Sequence, residues 1–291
     1  MNAEFPAELA AHLRDSIKTM RRRYRKRLAR CQVAFSEASV HDLRIETRRM
    51  LALLDLLRAL HFEDSLRKTR KIFKRRLDAF DELRDTQVQL LLLKPLRREF
   101  PEARDFDLVL RRREKRIIGE LRREIKRMKQ VRLERRLKAL EKQVRESAAA
   151  SSLERTRALA IAALQETYDY VTSLQRRVRR SHTETIHRMR VAFKRFRYVS
   201  ELLQPLFPKL TLKQLRQMQA YQGLMGDIQD MEVLIAAVKQ AVQLALVPEH
   251  NVRHLLPELM RRRRGMIDAF MAAADRLFEF EPEWFTRTPK L

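Results

Sequence analysis

Helical segments recur within this chain, and the recurrence restricts the fold more than any single motif does. From His41 the sequence reads HDLRIETRRMLALLDLL, and from His187 it reads HRMRVAFKRFRYVSELL. The histidine, an arginine three residues on, bases seven and eight residues on and a closing Leu-Leu coincide. A second pair keeps the same order. FDELRDTQV, from Phe80 to Val88, matches MGDIQDMEV, from Met225 to Val233, with Asp85 opposite Asp230 and Asp81 opposite Gly226. Two segments in one register point to duplication of a helical unit. The expected architecture is all-α: two four-helix bundles related by a pseudo-twofold axis, over residues 1–150 and 151–291, divided by the small-residue run from Ser147 to Ser152.

Composition agrees with helices. The 291 residues include four glycines and nine prolines, too few for the turns of a sheet protein. Leu9, Leu13, Ile17 and Met20 follow the helical period, as do Leu110, Ile117, Leu121, Ile125 and Met128. Breaks are expected at Ser36–Ser39, Phe62–Ser65, Phe100-Pro101, Pro205 with Pro208, and Val247-Pro248. The basic stretch from about Asp105 to Glu146 reads as one long helix closing the first bundle.

Charge narrows the class of partner. With 64 Lys and Arg against 38 Asp and Glu, the formal net charge is +26. A surface that repels itself this strongly is normally compensated by an anionic partner, and nucleic acid, acidic membrane and polyphosphate all qualify. Insertion into a bilayer is not expected, because the most apolar long segment, Met231 to Val247, carries Glu232 and Lys239 and is short. Cys31 is the only cysteine and Met1 to Leu13 lacks the pattern of a signal peptide, so a cytoplasmic protein is expected.

The repeated helix has two faces. At ~100° per residue, His41, Arg44 and Arg48 fall within about 60° of one another, and His187, Arg190, Lys194 and Arg197 within about 80°. Leu43, Met50, Leu54 and Leu57 oppose the first stripe, and Met189, Phe193, Phe196 and Leu203 oppose the second. A linear polyanion needs cations at intervals of one helical turn. Arginine suits that task through paired, charge-assisted hydrogen bonds, and lysine acts as a point charge. The expected binding residues are His41, Arg44, Arg48, Arg49, His187, Arg190, Lys194, Arg195 and Arg197. Arg22, Arg25, Lys68, Lys71, Lys213 and Arg216 are secondary candidates. The two histidines, becoming cations slightly below neutral pH, are expected to tighten binding under mild acid. Capping boxes are expected at Ser39 and Ser181, and Asp85 and Asp230 are expected to pair with stripe arginines and hold them in place. The run Arg261–Arg264 wraps more than one helix face, so at most half of it can point at one ligand.

Catalysis is not expected. Phosphate-chain hydrolysis usually needs metal-binding carboxylates or a histidine-aspartate set, and the His41-Asp42 dipeptide becomes His187-Arg188 in the second copy. Glu184-x-x-His187 has the spacing of a di-iron ligand pair, but Ala38 stands at the equivalent place before His41. Four dispersed glycines leave no phosphate loop, so no catalytic residue, metal ligand or cofactor is assigned. Nucleic-acid binding is the alternative reading, with a phosphate-chain hydrolase behind it. Tyr198, beside Arg197, is the one residue placed to stack on a base.

Taken together, HDLRIETRRML, HRMRVAFKRFRYV, LRDTQV and IQDMEV resemble the CHAD domain, the conserved histidine α-helical domain, over most of the chain. The resemblance implies a pair of four-helix bundles with a basic groove or pore between them that binds inorganic polyphosphate, often at polyphosphate granules. The family often shows a glycine before the step to aspartate; Gly226 keeps it, and Asp81 departs from it.

Overall fold

Helix α1 (Glu4–Ala34) and helix α2 (Glu37–Ala59) are joined by two residues, and local chemistry explains so short a link. Phe35 ends α1 with φ 46, in the left-handed region, and its buried ring holds that conformation in place. Ser36 then caps α2, its hydroxyl accepting from the Ser39 N–H at 3.3 Å. The cap is thus Ser36, and Ser39, expected to start the helix, is buried within it.

The computed structural model describes residues 4–60, 63–127, 130–147, 153–207 and 209–282. These residues are helical and contain no strand, the one β-bridge being the isolated pair Arg179 and His182. After α2 come α3 (Glu63–Ala79), α4 (Asp81–Glu99), α5 (Arg104–Arg127), α6 (Gln130–Ser147), α7 (Leu153–Gln175), α8 (Thr183–Leu203), α9 (Leu212–Gln243) and α10 (Leu255–Ala273). The all-α expectation holds. Helix α8 starts two residues after Ser181 without a side-chain cap, so the second expected capping box is not formed. The expected break at Phe62, the middle of the Ser147–Ser152 linker and Pro208 lie outside the described residues.

Of the stretch expected to be one long helix from Asp105 to Glu146, the described residues form α5 and α6, and residues 128–129 between them lie outside the described residues. Among the described residues their apolar stripe is buried: Ile117, Leu121 and Ile125 on α5, and Leu133, Leu137, Leu140 and Val144 on α6. Helix α5 packs on α4, whereas α6 packs on α1 and α3.

Two apolar clusters hold the helices together, and each draws on residues from both sides of the expected boundary at 150. The larger joins Leu43, Met50, Leu54 and Leu57 of α2 to Met189, Phe193, Phe196 and Leu203 of α8. The smaller joins Leu93 and Leu96 of α4 and Phe106 of α5 to Leu234, Ile235 and Val238 of α9 and Leu255 of α10. Across the boundary α1 meets α7, α2 meets α8, and α4 meets α9. Phe193 anchors α8 in an aromatic group with Tyr221 at 5.0 Å and Phe280 at 5.9 Å between ring centroids. Burying one face of α2 and one of α8 in a shared core fixes the rotation of both helices, and with it the direction of their basic stripes.

Candidate functional site

The stripes converge where α2 packs on α8. Arg44 and Arg48 from α2 lie close enough to Arg190 and Lys194 from α8 for their charges to act on one another. Helices α4 and α9 bring Asp81, Asp85, Asp227 and Asp230 to the margin. Of the nine residues expected at one site, eight divide into three groups and Arg195 stands apart.

Arg48, Arg190 and Lys194 form the centre. All three are half-buried, and among the described residues none has a carboxylate in ion-pair contact. Burial pushes the pKa of Lys194 down to about 6, and Arg190, Arg48 and Arg44 push the same way against the attraction of Asp230. Burial likewise lowers the pKa of Arg48, with Arg44 and Arg190 adding to the effect, and that of Arg190, which Asp230, Asp227 and Asp85 oppose. The Arg190 Nε is buried with no hydrogen-bond partner. Arg44 reaches the same centre but is already occupied: its Nη2 lies 2.6 Å from Asp81 Oδ1, and its Nη1 donates to the Leu77 carbonyl at 2.8 Å.

His41 and His187 stand exposed at the first turns of the two helices. Burial of the ring nitrogens lowers the pKa of His41, helped by Arg84 and Arg48 and opposed by Glu37 and Asp42. The pKa of His187 is lowered by burial and by Arg190 and Lys194, against a hydrogen bond with Gln229. Both rings are therefore neutral at pH 7, and the expected gain of charge falls at a lower pH than for a free histidine.

Arg49 and Arg197 belong to a different device. Both engage Glu201, Arg49 through its Nε at 3.4 Å, so one carboxylate on α8 ties the two helices together. Arg197 also donates to Gln222 Oε1 at 2.9 Å, and its guanidinium lies 4.4 Å from the centroid of the Tyr198 ring. With Arg197 and Tyr198 each 6 % exposed, neither presents a free surface. Arg195 is exposed on another side of α8, five residues and ~140° from Arg190.

The secondary candidates are dispersed. Arg22 and Arg25 line two shallow basic concavities on α1, of about 360 and 490 Å³; Glu134 and Lys138 of α6 border the smaller. Lys68 and Lys71 are exposed on α3, and Lys213 and Arg216 on the first turns of α9. A further concavity of about 500 Å³, lined by Lys94, Arg97, Arg98, Arg104, Asp107 and Leu108, lies at the α4–α5 corner and was not foreseen. There Asp107 is buried between Arg97, at 3.1 Å, and Arg111, at 2.7 Å.

The expected role of Asp85 and Asp230 is not what the geometry shows. Among the described residues neither makes an ion pair; Asp81, four residues before Asp85, holds Arg44 instead. Burial and the neighbouring Asp81 raise the pKa of Asp85, with Arg44 opposing. Two contributors were missed outright, Arg84 and Gln229, each acting on the histidine of its own half. They occupy matching places in LRDTQV and IQDMEV, so the register that aligned Asp85 with Asp230 contained the signal.

Among the described residues no group of three or more His, Cys, Asp or Glu is placed to hold a metal, and no helix is long and apolar enough to cross a membrane.

Such a fold and centre define a class: an all-helical module with half-buried basic side chains, free of ion pairs, where α2 packs on α8. The chain belongs to the CHAD domain family, whose model matches residues 17–239. Its fold is similar to that of the CHAD domain from the plant Ricinus communis, known from a crystal structure, with a TM-score of 0.68 and 16% sequence identity over 92% of this chain and 91% of that one. No curated protein matches the sequence.

Proposed function

We propose that this chain binds inorganic polyphosphate, without altering it chemically, along the seam between α2 and α8. The observation that carries the reading is the trio Arg48, Arg190 and Lys194, half-buried and without a carboxylate in contact. Holding like charges together in a partly desolvated place is unfavourable by several kcal/mol per ion in the extreme, roughly, unless an anion compensates them. A phosphate chain supplies an anion at each unit. The guanidinium groups donate paired hydrogen bonds to its oxygens, and Lys194 becomes protonated as the chain enters. His41 and His187 flank the trio and donate a ring N–H each. Membership in the CHAD family supports the same ligand and a cytoplasmic place at deposits of that polymer. We read residues 1–150 and 151–291 as copies of one unit, which the α1–α7, α2–α8 and α4–α9 packing supports.

Nucleic acid is the competing polyanion, and burial of Tyr198 removes the one residue expected to stack on a base. The test is a calorimetric titration with long-chain polyphosphate, short-chain polyphosphate and a DNA duplex in parallel, at physiological salt and matched phosphate concentration. Long polyphosphate is expected to bind tightest, with an affinity that falls linearly on a log–log plot against salt. Equal or tighter binding of the duplex overturns the reading.

A further inference from the structure

The two halves of the seam are not equivalent. In the first, Asp81 opens α4 directly after the break at Phe80, and its carboxylate meets the Arg44 guanidinium at 2.6 Å. Arg44 is 5 % exposed, so this pair takes up the face of the arginine that points into the seam. In the second half the matching position is Gly226, inside the unbroken helix α9. The Arg190 guanidinium lies against this position: a Cβ on Gly226 would stand 3.5 Å from both Arg190 Nε and Nη2. Where Asp81 pairs with Arg44, Gly226 offers Arg190 no carboxylate, and the Nε of each arginine is buried without a hydrogen-bond partner.

We propose that Asp81 is a built-in substitute for a ligand phosphate, and that it sets the affinity of the seam and the side from which a chain enters. This rests on the polyphosphate reading above and deepens it. A phosphate oxygen takes up beside Arg190 the place that the Asp81 carboxylate takes up beside Arg44. The first phosphates settle on Arg190 and Arg48, because those cations have no carboxylate in contact, and Lys194 takes up a proton as they do. Arg44 joins only when a further phosphate displaces Asp81, exchanging one charge-assisted pair for another with little net gain. Asp81 is half exposed, so the displaced carboxylate turns into water rather than into the core. The exchange leaves no charge stranded, which is what makes it reversible.

The geometry permits a reciprocal experiment. Asp81→Asn removes the competing charge and keeps the side-chain shape. Gly226→Asp installs the same competitor beside Arg190, where the 3.5 Å clearance accepts a Cβ in ordinary contact. Long-chain polyphosphate is titrated into the wild type and both variants at several salt concentrations, with circular dichroism and thermal unfolding recorded for each. Asp81→Asn is expected to bind about three- to tenfold tighter, with a salt dependence steeper by about one counterion. Gly226→Asp is expected to bind about tenfold more weakly, with a shallower one. If the wild type binds and Asp81→Asn binds equally or more weakly, Asp81 merely positions Arg44 and the inference fails while polyphosphate binding stands. Should Asp81→Asn not fold, unchanged binding by a folded Gly226→Asp overturns the inference in the same way. Absence of binding by the wild type defeats the polyphosphate reading itself, a separate result.

Discussion

The α2–α8 seam and the Arg261–Arg264 run of α10 are both dense in positive charge, yet they are built on opposite principles. In α10, Arg261 and Arg262 clamp Glu258, Arg262 reaches Glu99 of α4 at 2.7 Å, and Arg263 pairs with Glu232 of α9 at 3.1 Å. Three consecutive arginines are thereby neutralised and serve to fasten α10 to its neighbours. In the seam Arg48, Arg190 and Lys194 are more withdrawn from water than Arg261 and have no carboxylate in contact. A tally of basic residues ranks α10 first. Burial without a counter-charge, which is costly until an anion arrives, ranks the seam first. The contrast teaches that in a chain of +26 the informative cations are the unpaired ones.

The largest effect expected tests that ranking directly. The double variant Arg48→Ala, Arg190→Ala is expected to lose at least about a hundredfold in polyphosphate affinity, since each arginine contributes charge-assisted hydrogen bonds. Arg261→Ala with Arg262→Ala removes the same formal charge and is expected to change affinity by less than about threefold, the residual effect being long-range and screened by salt. Equal losses in the two pairs, measured in one titration series, would mean that net charge rather than placement governs binding, and the comparison would collapse.

The helical class and most of the apolar faces were legible because they depend on local spacing: Leu43, Met50, Leu54 and Leu57 are buried as the period demands, and so are Met189, Phe193, Phe196 and Leu203. The start of α2 was not legible, since Ser36 and Ser39 both suit a cap and the left-handed turn at Phe35 decides for Ser36. At the site, spacing placed Arg44, Arg48, Arg190 and Lys194 on common faces but did not distinguish a free cation from a paired one. That distinction depends on Asp81 and Glu201: they reach Arg44 and Arg49 from other helices, whereas Glu201 stands one turn from Arg197 on α8 itself, the one pairing that local spacing carries. Arg49 and Arg197 share the pattern of their neighbours yet are spent on Glu201. Concavities such as that at Lys94 and Arg97 arise from tertiary packing and have no periodic trace.

Lys194 sharpens the comparison at intermediate size, because the property that suits it for binding weakens the fold. Its pKa lies near about 6 in the folded chain, whereas a lysine in an unfolded chain titrates near ~10.4. Between those values the unfolded state holds a proton that the folded state has lost, so stability rises with pH across the window. Lys194→Met, which removes this penalty, is expected to raise the melting temperature at pH 7 by at least roughly 3 °C. The advantage over wild type grows as pH falls towards 6 and vanishes near ~10.4. Binding should move the other way: affinity drops about tenfold in Lys194→Met. In the wild type it weakens as pH rises above about 6, because the chain must bring a proton to Lys194. A variant that binds as wild type does, or a pH profile unaffected by the substitution, would remove Lys194 from the site.

The smallest effect belongs to α10. Arg262→Ala leaves Glu258 to Arg261 alone and frees Glu99, and because these groups sit near the surface the melting temperature is expected to fall by at most roughly 2–4 °C. The Arg261 and Arg262 side chains hold the Glu258 carboxyl down to about 2. A depressed carboxyl contributes its full stabilisation above the unfolded value of roughly 4.3 and loses it as pH falls through the folded one. The difference in melting temperature between Arg262→Ala and wild type should therefore be constant from neutral pH to about pH 5 and shrink below it. It should also shrink with added salt, as an exposed clamp requires. Polyphosphate affinity should stay within about twofold of wild type throughout, since this arginine fastens α10 to α4 and has no share in the seam. A difference that persists in high salt, or one accompanied by lost binding, would mean that the two basic regions are one continuous ligand track and that their separation into fastener and site is mistaken.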